Sequence, residues 1–81
     1  MALTLKIVSP EKVEFSGEIK SVIVPGCSGE FQILENHAPL ISLLETGKVV
    51  YEDASGKHQL MIESGFVEIQ KNSSMLKLLL T

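Results

Sequence analysis

Cys27 and His37 stand ten residues apart, and together they could make a nucleophile and its base. A thiol attacks as the thiolate, so it needs a base within hydrogen-bond reach and a third group to orient that base. No third group is in view, and Gly26-Cys27-Ser28-Gly29 reads as a glycine turn holding a small residue. The turn is neither a G-x-S-x-G elbow nor a phosphate loop with its lysine and hydroxyl. His37 and His58 offer imidazole to a metal, but structural zinc takes four ligands, often from closely spaced pairs, and one cysteine with two distant histidines does not supply them. His37 therefore reads as a loop residue that bonds backbone or touches a partner, and His58 as an exposed strand residue. Glu52-Asp53 supplies adjacent carboxylates. Acid–base pairs must converge in a pocket, whereas these fall at a hairpin, where solvated charge is the ordinary outcome. No catalytic, cofactor-binding or metal-binding residue is expected.

The elements that would position these groups are short strands. Glycine turns recur at Ser16-Gly17, Gly26 to Gly29, Thr46-Gly47, Ser55-Gly56 and Ser64-Gly65, and Asn72-Ser73-Ser74 adds another. Strands spaced at ~8–12 residues with turn residues between them signal an all-β sandwich or barrel. Leu3, Leu5 and Ile7 face one way while Thr4, Lys6 and Val8 face the other. Val13 and Phe15 follow the Ser9-Pro10-Glu11-Lys12 turn, and Ile19 to Val24 stops at Pro25. Phe31 with Ile33, Leu40 to Leu44, Lys48 to Glu52, Lys57 to Glu63, Phe66 to Ile69 and Met75 to Leu80 complete nine candidates. Asp53-Ala54-Ser55-Gly56 is expected as a hairpin tip, which puts Gly56-Lys57 where small all-β carrier domains present a modified lysine, though their usual flanking residues are missing.

Several strands do not alternate. Val22-Ile23-Val24, Leu40-Ile41, Leu43-Leu44 and Leu78-Leu79-Leu80 put apolar residues on both faces. An antiparallel sandwich ordinarily leaves one face of each sheet wet. Doubled apolar faces mean either a partner on the outer surface or local curvature of strands caught between two layers.

Composition narrows the classes further. With 44% hydrophobic and 21% charged residues the chain is a folded domain, and its length allows one domain over residues 1–81. The net charge is -3 and there is no arginine. Arginine supplies bidentate contacts to phosphate and guanine, so sequence-specific nucleic-acid binding is not expected. The lysines are scattered from Lys6 to Lys77, which argues against an anionic membrane surface. A lone Cys27 can form no intrachain disulfide and fits a reducing compartment. No apolar run approaches the ~20 residues of a membrane helix, and the start lacks a signal-peptide core, so no direct membrane insertion is expected.

Pro25-Gly26-x-x-Gly29-Glu30, then Ile33-Leu34-x-x-His37-Ala38-Pro39-Leu40, then Gly47, resembles the epsilon subunit of F-type ATP synthase. Leu5-x-Ile7-Val8-Ser9-Pro10-Glu11 with Phe15-Ser16-Gly17 is similar to that family's first two strands, and Ser64-Gly65-Phe66-Val67-Glu68-Ile69 to a later one. The resemblance implies a flattened antiparallel β-sandwich of about nine to ten strands. It implies a non-catalytic rotor subunit of the central stalk, docked on the gamma subunit and the c-subunit ring, coupling proton flow to ATP synthesis elsewhere in the complex. By the same resemblance Gly29, Glu30 and Phe31 would face the c-ring, and Ser9, His37, Leu40, Ile41 and Ser42 would face gamma. The complex would lie at the cytoplasmic face of a bacterial inner membrane.

The chain departs from the family pattern in three places. One glycine, Gly65, stands after Glu63-Ser64 where two adjacent glycines are usual. Leu79-Leu80-Thr81 replaces the common Ala-Asp after the last strand, and the family's C-terminal helix pair does not follow. Regulation that depends on those helices is expected to be absent. The rival reading is a stand-alone β carrier or binding domain built around Lys57.

Overall fold

A computed structural model describes residues 3–34, 38–70 and 75–81. All of its regular structure is strand: β1 Leu3–Val8, β2 Val13–Ile19, β3 Ser21–Gly26, β4 Gly29–Leu34, β5 Leu40–Leu44, β6 Gly47–Asp53, β7 Gly56–Ile62, β8 Gly65–Ile69 and β9 Met75–Leu80. The expected nine strands are present. They form one curled sheet in the order β2-β1-β9-β8-β5-β3-β6-β7, with β4 on the second side of β3.

Alternation determines which faces meet. In the first layer Leu3, Leu5 and Ile7 of β1 turn inward, with Leu76 and Leu78 of β9 and Val67 and Ile69 of β8. In the second, Val22 and Val24 of β3, Ile33 of β4 and Val49 of β6 close the same core. Leu5, Ile7, Ile33, Leu76 and Leu78 are fully buried, and among the described residues no polar or charged side chain is buried.

Three details correct the expectations. The sheet is mixed, because β1 runs parallel to β9 with Ile7 beside Leu78; the remaining pairs are antiparallel. Parallel pairing of the first and last strands needs a long connection, and here the rest of the chain supplies it. Ser16-Gly17 is not a turn: β2 continues to Ile19, with Gly17 opposite Leu5 and the Phe15 ring lying over it, so that an added Cβ would stand 3.3 Å from the ring. Pro25 does not stop its strand either. It pairs with Glu30 inside β3, and its carbonyl accepts the Glu45 N–H at 2.9 Å.

Candidate docking surface

The β3–β4 hairpin positions the loop expected to face a partner. Gly26 pairs with Gly29, leaving Cys27 and Ser28 as a two-residue connection. Gly29 has φ +130°, a conformation that side-chain-bearing residues rarely adopt, and a Cβ on Gly26 would approach the Gly29 carbonyl to 2.8 Å. The loop can therefore close only on glycines. The Cys27 N–H donates to the Leu43 carbonyl at 3.1 Å, which fastens the loop to the end of β5. Glu30 and Gly29 are exposed; Phe31 is half-buried against the core and close to Gly26.

The expected gamma-facing residues do not form one patch. Ile41 points outward and is 71% exposed. Leu40 and Ser42 pair with Ile69 and Val67 and so share their inward face; both are half-buried, and Leu40 packs on the core. The Ser42 hydroxyl donates to the Leu43 carbonyl at 3.3 Å. Ser9 lies in the turn after β1, where its hydroxyl donates to the Lys12 carbonyl at 3.1 Å and accepts the Lys12 N–H at 3.2 Å. The register puts this turn at the same end of the sheet as Gly65, Leu44 and the Gly29–Glu30 loop, whereas Leu40 is at the other end. His37 lies outside the described residues.

An apolar row crosses the outer face of the first layer, and the non-alternating runs in the sequence mark two of its members, Leu43 and Leu79. Leu43 is opposite Phe66, Phe66 opposite Leu79, Leu79 beside Val8, and Val8 opposite Val13. Leu43 and Val13 are 68% and 51% exposed, and the three between are half-buried. The doubled leucines at Leu78-Leu79-Leu80 were the available signal. What the sequence could not supply was the register that lines Leu79 up with Phe66 and Val8.

The remaining polar cluster caps the β6–β7 tip. Asp53 Oδ1 accepts the Ser55 N–H at 2.9 Å and the Ser55 hydroxyl at 2.8 Å, and lies 3.0 Å from His58 Nε2. The Ser55 hydroxyl holds the Asp53 carboxyl below the usual carboxylate range, with His58 adding to the effect. Tyr51 stacks on His58 with 5.2 Å between ring centroids and meets Phe15 at 4.4 Å. Burial, with the Asp53 charge behind it, raises the Tyr51 phenol above its ordinary value. A nucleophilic triad needs the carboxylate on the imidazole nitrogen remote from the serine. Here serine and aspartate meet the same Nε2, so the hydroxyl is spent on closing the turn. Lys57 is exposed on β7, and its register partner is Glu52.

Residues 2–75 match the family model described as the β-sandwich domain of the ATP synthase delta/epsilon chain. The chain is 48% identical over 77 residues to an ATP synthase epsilon chain of Chlorobaculum tepidum, covering 93% of this chain and 86% of that one. It is 45% identical over 71 residues to an epsilon chain of Leptospira interrogans, where it covers 88% of itself and 56% of the relative. Among solved structures, a chain of the Euglena gracilis mitochondrial ATP synthase, in the OSCP/F1/c-ring assembly, superposes with TM-score 0.88 at 17% identity. That match covers 98% of this chain and 50% of the Euglena chain. A chain of the Tetrahymena thermophila central stalk and c-ring gives TM-score 0.82 at 9% identity, over 100% of this chain and 64% of that one. These two similarities establish a shared fold.

Proposed function

Because this chain belongs to the ATP synthase delta/epsilon β-sandwich family, we propose that it serves as a non-catalytic rotor subunit of the central stalk, docking on the gamma subunit and on the c-ring. It is part of an ATP synthase complex, and in this reading that complex sits at the cytoplasmic face of a bacterial inner membrane, with the chain peripheral to the bilayer. ATP is made on other subunits, and this one transmits rotation to them. The observation that carries the docking role is the apolar outer surface at Ile41 and Leu43, both more than two-thirds exposed on one face of β5. Large exposed apolar side chains side by side on a small domain mark a surface made to be covered. Gly29 and Glu30, at the hairpin loop fastened beside Leu43, supply the polar contact with the c-ring, with the Phe31 ring supporting the loop from beneath. The carrier reading of Lys57 has no support from the family match.

The test is the identity of the chains that co-purify with this one from a native membrane extract. Gamma and c subunits are expected, and Ile41→Lys should release gamma while leaving the isolated domain folded. If purified gamma shows no binding, and Ile41→Lys leaves the assembled enzyme unchanged, the docking assignment is wrong.

A further inference from the structure

We propose that the junction of β5 with β3 is a positioning joint, held by Gly47 and Thr46, that fixes the angle between the c-ring contact and the gamma contact. This rests on the rotor reading above and deepens it. In the strand order the step from β5 to β3 is where the sheet passes from the first layer to the second. That step is narrow. β5 meets β8 along its whole length, from Leu40 opposite Ile69 to Leu44 opposite Gly65, but its register with β3 is the single pair of Gly26 and Leu44. Two backbone bonds flank that pair, from the Cys27 N–H to the Leu43 carbonyl at 3.1 Å and from the Glu45 N–H to the Pro25 carbonyl at 2.9 Å. So short a ladder resists twisting weakly, since the net contribution of each bond is small. Gly29 and Glu30 lie on the second-layer side of the joint, and Ile41 and Leu43 on the first-layer side. A twist there would shift one contact against the other without breaking either, and rotation would be lost in it.

Packing supplies the stiffness. Pro25 is buried, its φ is fixed by the ring, and Gly47 at the start of β6 lies against it: a Cβ there would stand 2.9 Å from the Pro25 Cβ. Neither side yields easily, because one is a rigid ring and the other is backbone held opposite Ile62 in the β6–β7 ladder. A Cβ on Gly26 would stand 2.8 Å from Phe31 Cε1, so that ring closes on the joint from the β4 side. Next to Gly47, the Thr46 hydroxyl donates to the Glu63 carbonyl at 2.9 Å and ties the β5–β6 corner to the β7–β8 corner. Thr46 is exposed, so the bond answers no buried need; its effect is to hold two crossovers together.

The test has two readouts. In the full chain alone, Gly47→Ala should speed hydrogen exchange at the Cys27 and Glu45 amides about tenfold or more, and Thr46→Val about threefold, while the Ile7 and Leu78 amides keep their rates. In the assembled ATP synthase both variants should lower the ATP made per proton transported with gamma still co-purifying, and Thr46→Ser, which keeps the hydroxyl, should restore the ratio. Ile19→Val removes core volume on β2, opposite Leu3 at the far end of the sheet; it should lower the thermal midpoint and leave the ratio unchanged. Should Gly47→Ala fail to fold, Thr46→Val against Thr46→Ser decides by the same readouts. If the joint variants keep the parental ratio while Glu30→Ala lowers it, this inference is overturned and the rotor reading stands. If Glu30→Ala leaves the ratio unchanged as well, the c-ring contact of that reading fails too. A ratio lowered equally by Ile19→Val would trace the loss to general destabilisation and also overturn the joint.

Discussion

Gly65 is held in place by a neighbouring backbone. A Cβ there would stand 2.4 Å from the Leu79 carbonyl oxygen, and the rigid oxygen cannot move aside without breaking the β8–β9 ladder. Ser64 beside it is exposed, and its hydroxyl bonds that of Thr81. The apparent departure from a two-glycine pattern therefore falls on the tolerant position, and the indispensable glycine is kept. Gly65→Ala should cost about 1–3 kcal/mol in urea unfolding, the usual range for overpacking, while Ser64→Ala should cost under about 1 kcal/mol. Equal effects would mean that the close approach is not what fixes this residue. The sequence alone could mark Gly65 as a glycine after a serine. It could not say that the constraint comes from a carbonyl on another strand.

At the scale of elements, reading was good where alternation is strict and poor where pairing decides. β1 was legible from Leu3, Leu5 and Ile7, and the β6–β7 tip from Asp53 to Gly56, where Ala54 and Ser55 form the expected short connection. Ser16-Gly17 misled because glycine in a strand and glycine in a turn look alike locally; what makes it strand is Leu5 on one side and the Phe15 ring above. The parallel β1–β9 pair left no local trace, since partners 71 residues apart share no pattern. The tip also carries a pH dependence. The folded Asp53 carboxyl titrates below its unfolded value, so it adds stability that is present above about pH 4 and is lost as pH falls through the folded value. Asp53→Asn should flatten the acid limb of a thermal-midpoint profile. An acid limb identical in both proteins would remove Asp53 from the account.

For the whole molecule, the class of function was legible because turn chemistry is specific: Pro25-Gly26-x-x-Gly29-Glu30 demands a tight hairpin, and the structure builds one. The residues expected to face gamma do not share one face of the sheet. Neighbours in sequence at Leu40, Ile41 and Ser42 point to opposite faces, whereas true neighbours on the outer face come from five strands. A sandwich of 31 × 26 × 22 Å packed on an apolar core is a stiff body, suited to passing torque without deforming. Glu30 stands clear of that core, so Glu30→Ala should leave the isolated domain's stability within about 0.5 kcal/mol. In the assembled complex the same change should lower the ATP made per proton transported. An unchanged ratio would remove Glu30 from the coupling contact.

The parallel pairing of β1 and β9 also sets where anything attached to this domain would emerge. Both strands run toward the Gly29–Glu30 end, so Thr81 sits there while Leu3 sits about 20 Å away at the other end. A label or surface anchor added before β1 leaves the hairpin loop open to its neighbour. The same addition after β9 crowds it, so the end chosen for a fusion decides in advance which contact an experiment can see.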